Sequence, residues 1–381
     1  MKKTFEKIDS LKDSYIKIWE DVCNIESPTS YKEGVDKVGQ YFAGIAKKRG
    51  WKVEYFKQNI SGDVVCITMN PQSGLNPVTI SGHMDTVHPI GSFGTPAVHI
   101  DSEKIYGPGV MDCKGGIVAG FMAMDALYSC GFKKRPVRLL LQTDEETSSM
   151  QSKKTTVDYI CQKAKDSVAF INMEGHSEGE ICLQRKGIIT FLFTINGIEA
   201  HASQCAVMGA NAIAEAANKI LEIEKFKNHD GITCCCSKIQ GGTTANTVPG
   251  SCRFKVNVRY ATKQQQEQIQ NRMREIANSV YIKDCKTELT ILTQRSAMEL
   301  TAKNTELFET VNKIFKKNGL PVLKASKRAG GSDAADVTAF GIPCLDSLGV
   351  RGGYIHTLKE YAYMDSLTES AKRIAAIVYD I

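Results

Sequence analysis

Apolar runs that each end in a carboxylate or an imidazole constrain this chain more than any other feature. Leu139-Leu140-Leu141-Gln142-Thr143-Asp144-Glu145-Glu146 closes a strand-like run with three acidic residues in a row. Carboxylates crowded there repel one another unless cations or solvent neutralise them. Ile80-Ser81-Gly82-His83-Met84-Asp85 and Ile171-Asn172-Met173-Glu174-Gly175 end in the same way. Each is bland alone, since a strand-end His or a solvated acidic turn accounts for it. Together they place candidate ligands repeatedly at the ends of strands.

Those strands alternate with helices. Residues 63–69, 77–81, 137–143 and 168–172 read as strands, whereas 114–129 and 153–163 have helical composition and spacing. Such alternation predicts an α/β sheet with helices packed on it. The order then changes to strand 188–195, helix 211–226, strands 232–239 and 253–259, helix 264–280 and strand 287–292. That is the split β-α-β, ferredoxin-like arrangement. Helices at 304–317 and 334–340, a strand at 344–347 and a helical end after Leu358 restore the first pattern. A catalytic domain of residues 1–186 and 296–381, with residues 187–295 inserted as an α+β domain, is the expected organisation. A chain of 381 residues is long enough for two cores.

Composition narrows the function classes. A net charge of +6, scattered along the chain, gives no case for nucleic acid. The segment Met1–Asp21 reads as a charged amphipathic helix rather than a secretory leader, and no run reaches the length of a membrane span. Thirteen cysteines without a Cys-x-x-Cys pair fit reduced, buried thiols and a cytoplasmic location. Cys234, Cys235 and Cys236 fall inside one strand, so their side chains should alternate between its faces as packing groups, not form a metal site.

Five segments carry the chemistry. His83 and Asp85, two apart on extended chain, point the same way. His83 can ligate a metal while Asp85 accepts the proton of its other ring nitrogen. Gly107-Pro108-Gly109-Val110-Met111-Asp112-Cys113-Lys114-Gly115-Gly116 turns tightly between a strand and a helix. The two oxygens of Asp112 can each serve one cation, although a simple helix cap also explains an Asp here. Glu145 and Glu146 diverge on an extended segment, so one can bind metal while its neighbour faces the reacting water. Glu174 ends a strand, and His356 stands in the Gly-rich loop Gly353-Tyr354-Ile355-His356-Thr357. Two histidines and three carboxylates suit a pair of borderline ions.

The motifs Ser-Gly-His-Met-Asp-Thr-Val, Gly-Pro-Gly-Val-x-Asp-x-Lys-Gly-Gly, the Glu-Glu pair, Asn-x-Glu-Gly and the late His occur in order. They resemble the zinc-dependent aminoacylase, carboxypeptidase G and succinyl-diaminopimelate desuccinylase family over essentially the whole chain. The resemblance implies a phosphorylase/hydrolase-like catalytic domain, a mixed sheet with helices on both faces, and a ferredoxin-like lid that pairs two subunits. It implies two zinc ions, with cobalt or manganese as alternatives. Asp112 then bridges them, with His83 and Glu174 on one ion and Glu146 and His356 on the other. Glu145 becomes general base and acid. His201, in Gly197-Ile198-Glu199-Ala200-His201-Ala202-Ser203, becomes the group that polarises the scissile carbonyl. Asn246, Arg259, Arg295 and Gly331 match substrate-contacting positions. Cys113 departs from the family pattern, and a packed thiol is its simplest reading. The intervals from His201 to His356 look most like carboxypeptidase G, which implies removal of a C-terminal residue such as glutamate from a small peptide or N-acyl amino acid. N-acyl amino acid deacylation is the alternative, and a catalytically silent peptide binder is a third, which an intact Glu145 disfavours.

Overall fold

The computed structural model describes residues 1–176, 179–227 and 231–381, and these divide into two compact units. Unit 1 comprises Met1–Gln184, Leu300–Arg328 and Ser332–Ile381, and unit 2 comprises Arg185–Glu299 and Ala329–Gly331.

Unit 1 is built on a six-stranded mixed sheet in the order Lys52–Phe56, Val64–Met69, Val137–Gln142, Val78–His83, Ala169–Asn172, Cys344–Leu345. The first two pairings are antiparallel and the other three parallel. Val64–Met69 and Val78–His83 are buried at every position. Val64, Val65, Ile67, Val78 and Ile80 give these strands β-branched apolar side chains, which suit a sheet without a wet face. Helix Lys114–Ser129 packs against Val78–His83 and Val137–Gln142, and outward against helices Lys2–Asn24 and Asp365–Asp380. All but two of its sixteen residues are buried, which explains why it reads as apolar all round rather than amphipathic. At Gly116 a Cβ would stand 2.0 Å from the Met173 carbonyl oxygen, so only glycine lets this helix approach the strand end that carries Glu174.

A small antiparallel sheet of Gly352–Gly353, Tyr361–Tyr363, Lys104–Tyr106 and His99–Ile100 completes unit 1. The strand expected at 63–69 begins at Val64, and the final helix begins at Asp365, after Tyr361–Tyr363 has paired with Lys104–Tyr106. The sequence reading also passed over helix Lys32–Lys48 and strands Lys52–Phe56, Glu180–Arg185 and Lys324–Arg328.

Unit 2 has an antiparallel sheet in the order Thr233–Gly241, Ser251–Tyr260, Gly187–Asn196, Lys286–Arg295. With helices Ala212–Glu224 and Lys263–Asn278 between strands, this is the ferredoxin-like topology expected from the element order. Burial alternates residue by residue along Gly187–Asn196 and Ser251–Tyr260, with Phe191, Phe193, Phe254 and Val256 on the covered face. Cys234 is buried and Cys235 exposed, with Cys236 half-buried, so the three thiols alternate across the strand as packing groups. Among the described residues every cysteine is a free thiol, and no helix is long and apolar enough to cross a membrane.

Candidate metal centre

Two loops of unit 1 meet because the strands that launch them are paired. Lys104–Tyr106 leads into the loop ending at Asp112, and Tyr361–Tyr363 follows the loop that holds His356. The parallel strands supply the remaining groups: His83 ends one, Glu145 and Glu146 follow the next, and Glu174 follows a third.

Asp112 is the centre of the arrangement. Its Oδ1 lies 3.2 Å from His83 Nε2 and its Oδ2 lies 3.1 Å from His356 Nε2. Glu174 Oε1 stands 3.8 Å from His83 Nε2, and Glu146 Oε2 stands 3.2 Å from His356 Nε2. Nitrogen and oxygen atoms bound to one ion at about 2.0–2.2 Å come about this close to each other. The structure therefore brings together all five residues expected as ligands. His356 reaches inward from a left-handed backbone conformation, φ 61°, which a non-glycine residue adopts only where its surroundings impose it.

The electrostatics are those of a site short of positive charge. Burial pushes the Glu146 carboxyl up to about 7, with the Asp112 charge adding to the effect and a hydrogen bond to His356 opposing it. Burial and then the Asp112 charge also raise the Glu174 carboxyl well above its ordinary range. Glu145 contributes to both rises. Against the cost of burial, hydrogen bonds from His356 and His83 hold the Asp112 carboxyl well below the usual carboxylate range. Hydrogen bonds to Asp112 and Glu146 push His356 up to about 10. Buried carboxylates that call for protons, set beside two imidazole nitrogens, fit divalent cations of the zinc type.

Asp85 faces His83 with both backbone and side chain. His83 Nδ1 meets the backbone carbonyl oxygen of Asp85 at 2.9 Å and lies 3.4 Å from the carboxylate Oδ1. That carboxylate also accepts the Glu145 amide at 3.2 Å, the Glu146 amide at 3.1 Å and the Thr29 hydroxyl at 2.7 Å. Asp85 thus fixes the single 3-10 turn, Glu145–Thr147, that presents both glutamates. Glu145 is buried at the edge of the cluster. The Cys113 thiol is buried, accepts the His83 amide at 3.0 Å and is pushed up to about 12 by burial.

The remaining predicted residues belong to unit 2 and form two groups. His201 pairs with Thr247 across a short antiparallel ladder, and the Ala202 amide donates to the Asn246 carbonyl at 2.8 Å. The exposed His201 ring is held through Nδ1 by the Ser203 hydroxyl at 2.8 Å. Arg259 Nη1 donates to the Ala329 carbonyl at 3.3 Å, and a Cβ on Gly331 would come 2.5 Å from Arg295 Cδ. Arg259, Arg295 and Gly331 are therefore neighbours. Arg185, which the sequence did not single out, joins them by donating to the Gly330 and Gly331 carbonyls at 3.3 and 3.4 Å.

Two further residues escaped sequence reasoning. Lys114 Nζ, fully buried, donates to the Val22 and Ile25 carbonyls at 3.2 and 2.8 Å, tying the end of helix Lys2–Asn24 to the segment after Asp112. Glu360 accepts amides from the Asp112 loop. Its only sequence signal is a lone acidic residue four positions after His356.

Residues 79–380 match the model of peptidase family M20/M25/M40, and the chain belongs to that family. It is therefore a metal-dependent hydrolase of the metallopeptidase type. It is 26% identical to carboxypeptidase G2 of Pseudomonas sp. (strain RS-16), over 99% of this chain and 91% of that protein. A tripeptidase from Staphylococcus aureus shares the fold, with a TM-score of 0.80 at 19% identity over 96% of this chain and 97% of that one. So does a dinuclear metal-binding peptidase from Bacillus subtilis, with a TM-score of 0.72 at 14% identity over 97% and 98% of the two chains.

Proposed function

We propose that the protein is a di-zinc exopeptidase of the carboxypeptidase G type, which hydrolyses the amide bond before a C-terminal residue of a small peptide or N-acyl amino acid. The observation that carries this reading is the Asp112 carboxylate placed between two imidazole nitrogens, 3.2 and 3.1 Å away. The full-length likeness to carboxypeptidase G2 supports the choice of substrate type.

His83 and Glu174 would hold one ion, Glu146 and His356 the other, with Asp112 shared. Two such ions polarise a carbonyl and make water nucleophilic near neutral pH. Glu145 takes a proton from the attacking water and returns it to the leaving nitrogen, which departs poorly without one. His201 donates to the oxygen that gains negative charge. Asn246, Arg259 and Gly331 contact substrate, and the Arg295 fork holds the carboxylate of the released residue. Residues 187–295 act as the lid and as the surface through which a homodimer forms, in the cytoplasm.

Metal analysis combined with a screen on hippuryl-type, folyl-glutamate and N-acetyl amino-acid substrates tests the proposal. Two ions per chain and release of C-terminal residues are expected. Turnover confined to N-acetyl substrates would reassign the protein as a deacylase, and metal binding without turnover would make it a binder.

A further inference from the structure

Glu360 belongs to none of the groups that hold metal in the reading above. It is 1% exposed, and both of its oxygens meet donors from distant sequence. Oε1 accepts the Met111 and Asp112 amides at 2.9 and 3.0 Å. Oε2 accepts the Gly109 amide at 3.2 Å and lies 3.2 Å from His88 Nε2. The backbone takes part as well, since the Gly107 amide donates to the Glu360 carbonyl at 3.3 Å. Gly109 stands at φ 75°, a left-handed conformation that turns its amide into the cluster. Amides converging on one anion from a single loop form a nest-like cradle, a strong and orienting arrangement.

The position of this nest matters. Its last amide belongs to Asp112, and its carboxylate sits four residues after His356. The Glu360 amide in turn donates to the Thr357 carbonyl at 3.2 Å, closing the loop that starts at His356. One side chain therefore fixes the spacing between the loop carrying Asp112 and the loop carrying His356. We propose that Glu360 is the positioning residue of the metal centre: by gathering the amides of Gly109, Met111 and Asp112 it sets the Asp112 carboxylate at bridging distance from His356, and so determines occupancy of the ion shared by Asp112, Glu146 and His356. This rests on the di-metal reading, but Glu360 itself touches neither ion nor substrate.

The test uses chelator-stripped full-length protein and Glu360→Gln, which keeps shape and one oxygen but turns an NH2 group toward amide donors. Glu360→Asp serves as the conservative variant. Hydrogen exchange at Met111 and Asp112 is read first, without metal. Exchange at least tenfold faster in Glu360→Gln, with partial recovery in Glu360→Asp, is expected. Titration with Zn²⁺ and Mn²⁺ follows. One of the two binding steps should lose affinity by about 10–100-fold while the other changes less, the scale of effect seen when groups that orient ligands are removed. Unchanged exchange, or equal losses at both steps matching a general fall in Tm, would overturn the proposal. A wild-type protein that takes up only one ion would refute the di-metal reading instead, and the exchange result would still decide whether Glu360 holds the loop.

Discussion

Asp85, Glu145 and Glu360 show how one functional group, the carboxylate, does three jobs within one site. Asp85 receives the amides of Glu145 and Glu146, so Asp85→Asn sets an NH2 group against one of them. The expected result is a fall of about 10–100-fold in kcat with the His83 side of the centre still loaded, read by steady-state kinetics and metal analysis. Glu145→Gln should keep both ions and lose about 10²–10⁴-fold in turnover; a variant as active as wild type would remove Glu145 from the role of base. His83, Glu146 and Glu174 were legible as residues at strand ends, because an apolar run followed by His, Asp or Glu is a local pattern. The partner of His83 Nδ1 was not, since a carbonyl two residues on leaves no trace in residue type. Glu360 was hidden for another reason: its partners lie about 250 residues away in sequence, at Gly109, Met111 and Asp112.

At the scale of elements, helix starts were legible where a side chain caps them. Asn211, Thr262 and Thr301 accept the amides of Ala214, Gln265 and Asn304, and the helices that follow begin within two residues of their expected positions. Strands Glu180–Arg185 and Lys324–Arg328 were not, because the second is largely polar and exposed and gives no alternation to read. Helix Lys32–Lys48 did carry a signal, with Val35, Val38, Phe42 and Ala46 on one face. Inside unit 2, a buried ion pair holds two elements together. Lys219 Nζ stands 3.0 Å from Glu215 Oε1 and gives its protons to the carbonyls of Ile276, Ala277 and Ser279, at the end of helix Lys263–Asn278. Glu215 Oε2 accepts the amides of Tyr281 and Ile282 just beyond. Lys219→Met leaves an unpaired buried carboxylate and three carbonyls without donors. Destabilisation of about 3–5 kcal/mol is expected by denaturant unfolding, and a loss below 1 kcal/mol, on the scale of an exposed pair, would show that the pair is not buried in solution.

For the whole molecule, the metal centre should make stability depend on pH in opposite senses with and without ions. The Glu146 carboxyl, raised to about 7, favours the metal-free fold while protonated, and that contribution is lost as pH rises from the ordinary glutamate range through 7. His356, raised to about 10, stabilises the metal-free fold fully below the ordinary histidine range and loses the effect as pH rises toward 10. Ions replace those protons and bind better as pH rises. The gap in Tm between metal-loaded and chelator-treated protein should therefore widen from pH 6 to pH 8, and ions at about a hundred times their Kd should add about 2.7 kcal/mol. A gap that narrows over that range would mean the cluster does not exchange protons for cations. The return of Ala329–Gly331 to unit 2 was not legible, because three residues carry no period.

The clasp between Glu360 and the amides of Gly109, Met111 and Asp112 also orders events during synthesis. Asp112, Glu146 and Glu174 leave the ribosome well before His356 and Glu360 do, and the intervening chain includes all of residues 185–299. Domains begin to fold while the rest of the chain is still being made, at about 5–20 residues per second. With the proposed ligands, a nascent chain can thus expose His83, Asp112, Glu146 and Glu174 for about 10–40 seconds with nothing to hold Asp112 in register. Ions captured then would meet an unfinished geometry, so the centre matures only when the last strands are delivered, and faithful loading becomes a late step in the life of the polypeptide.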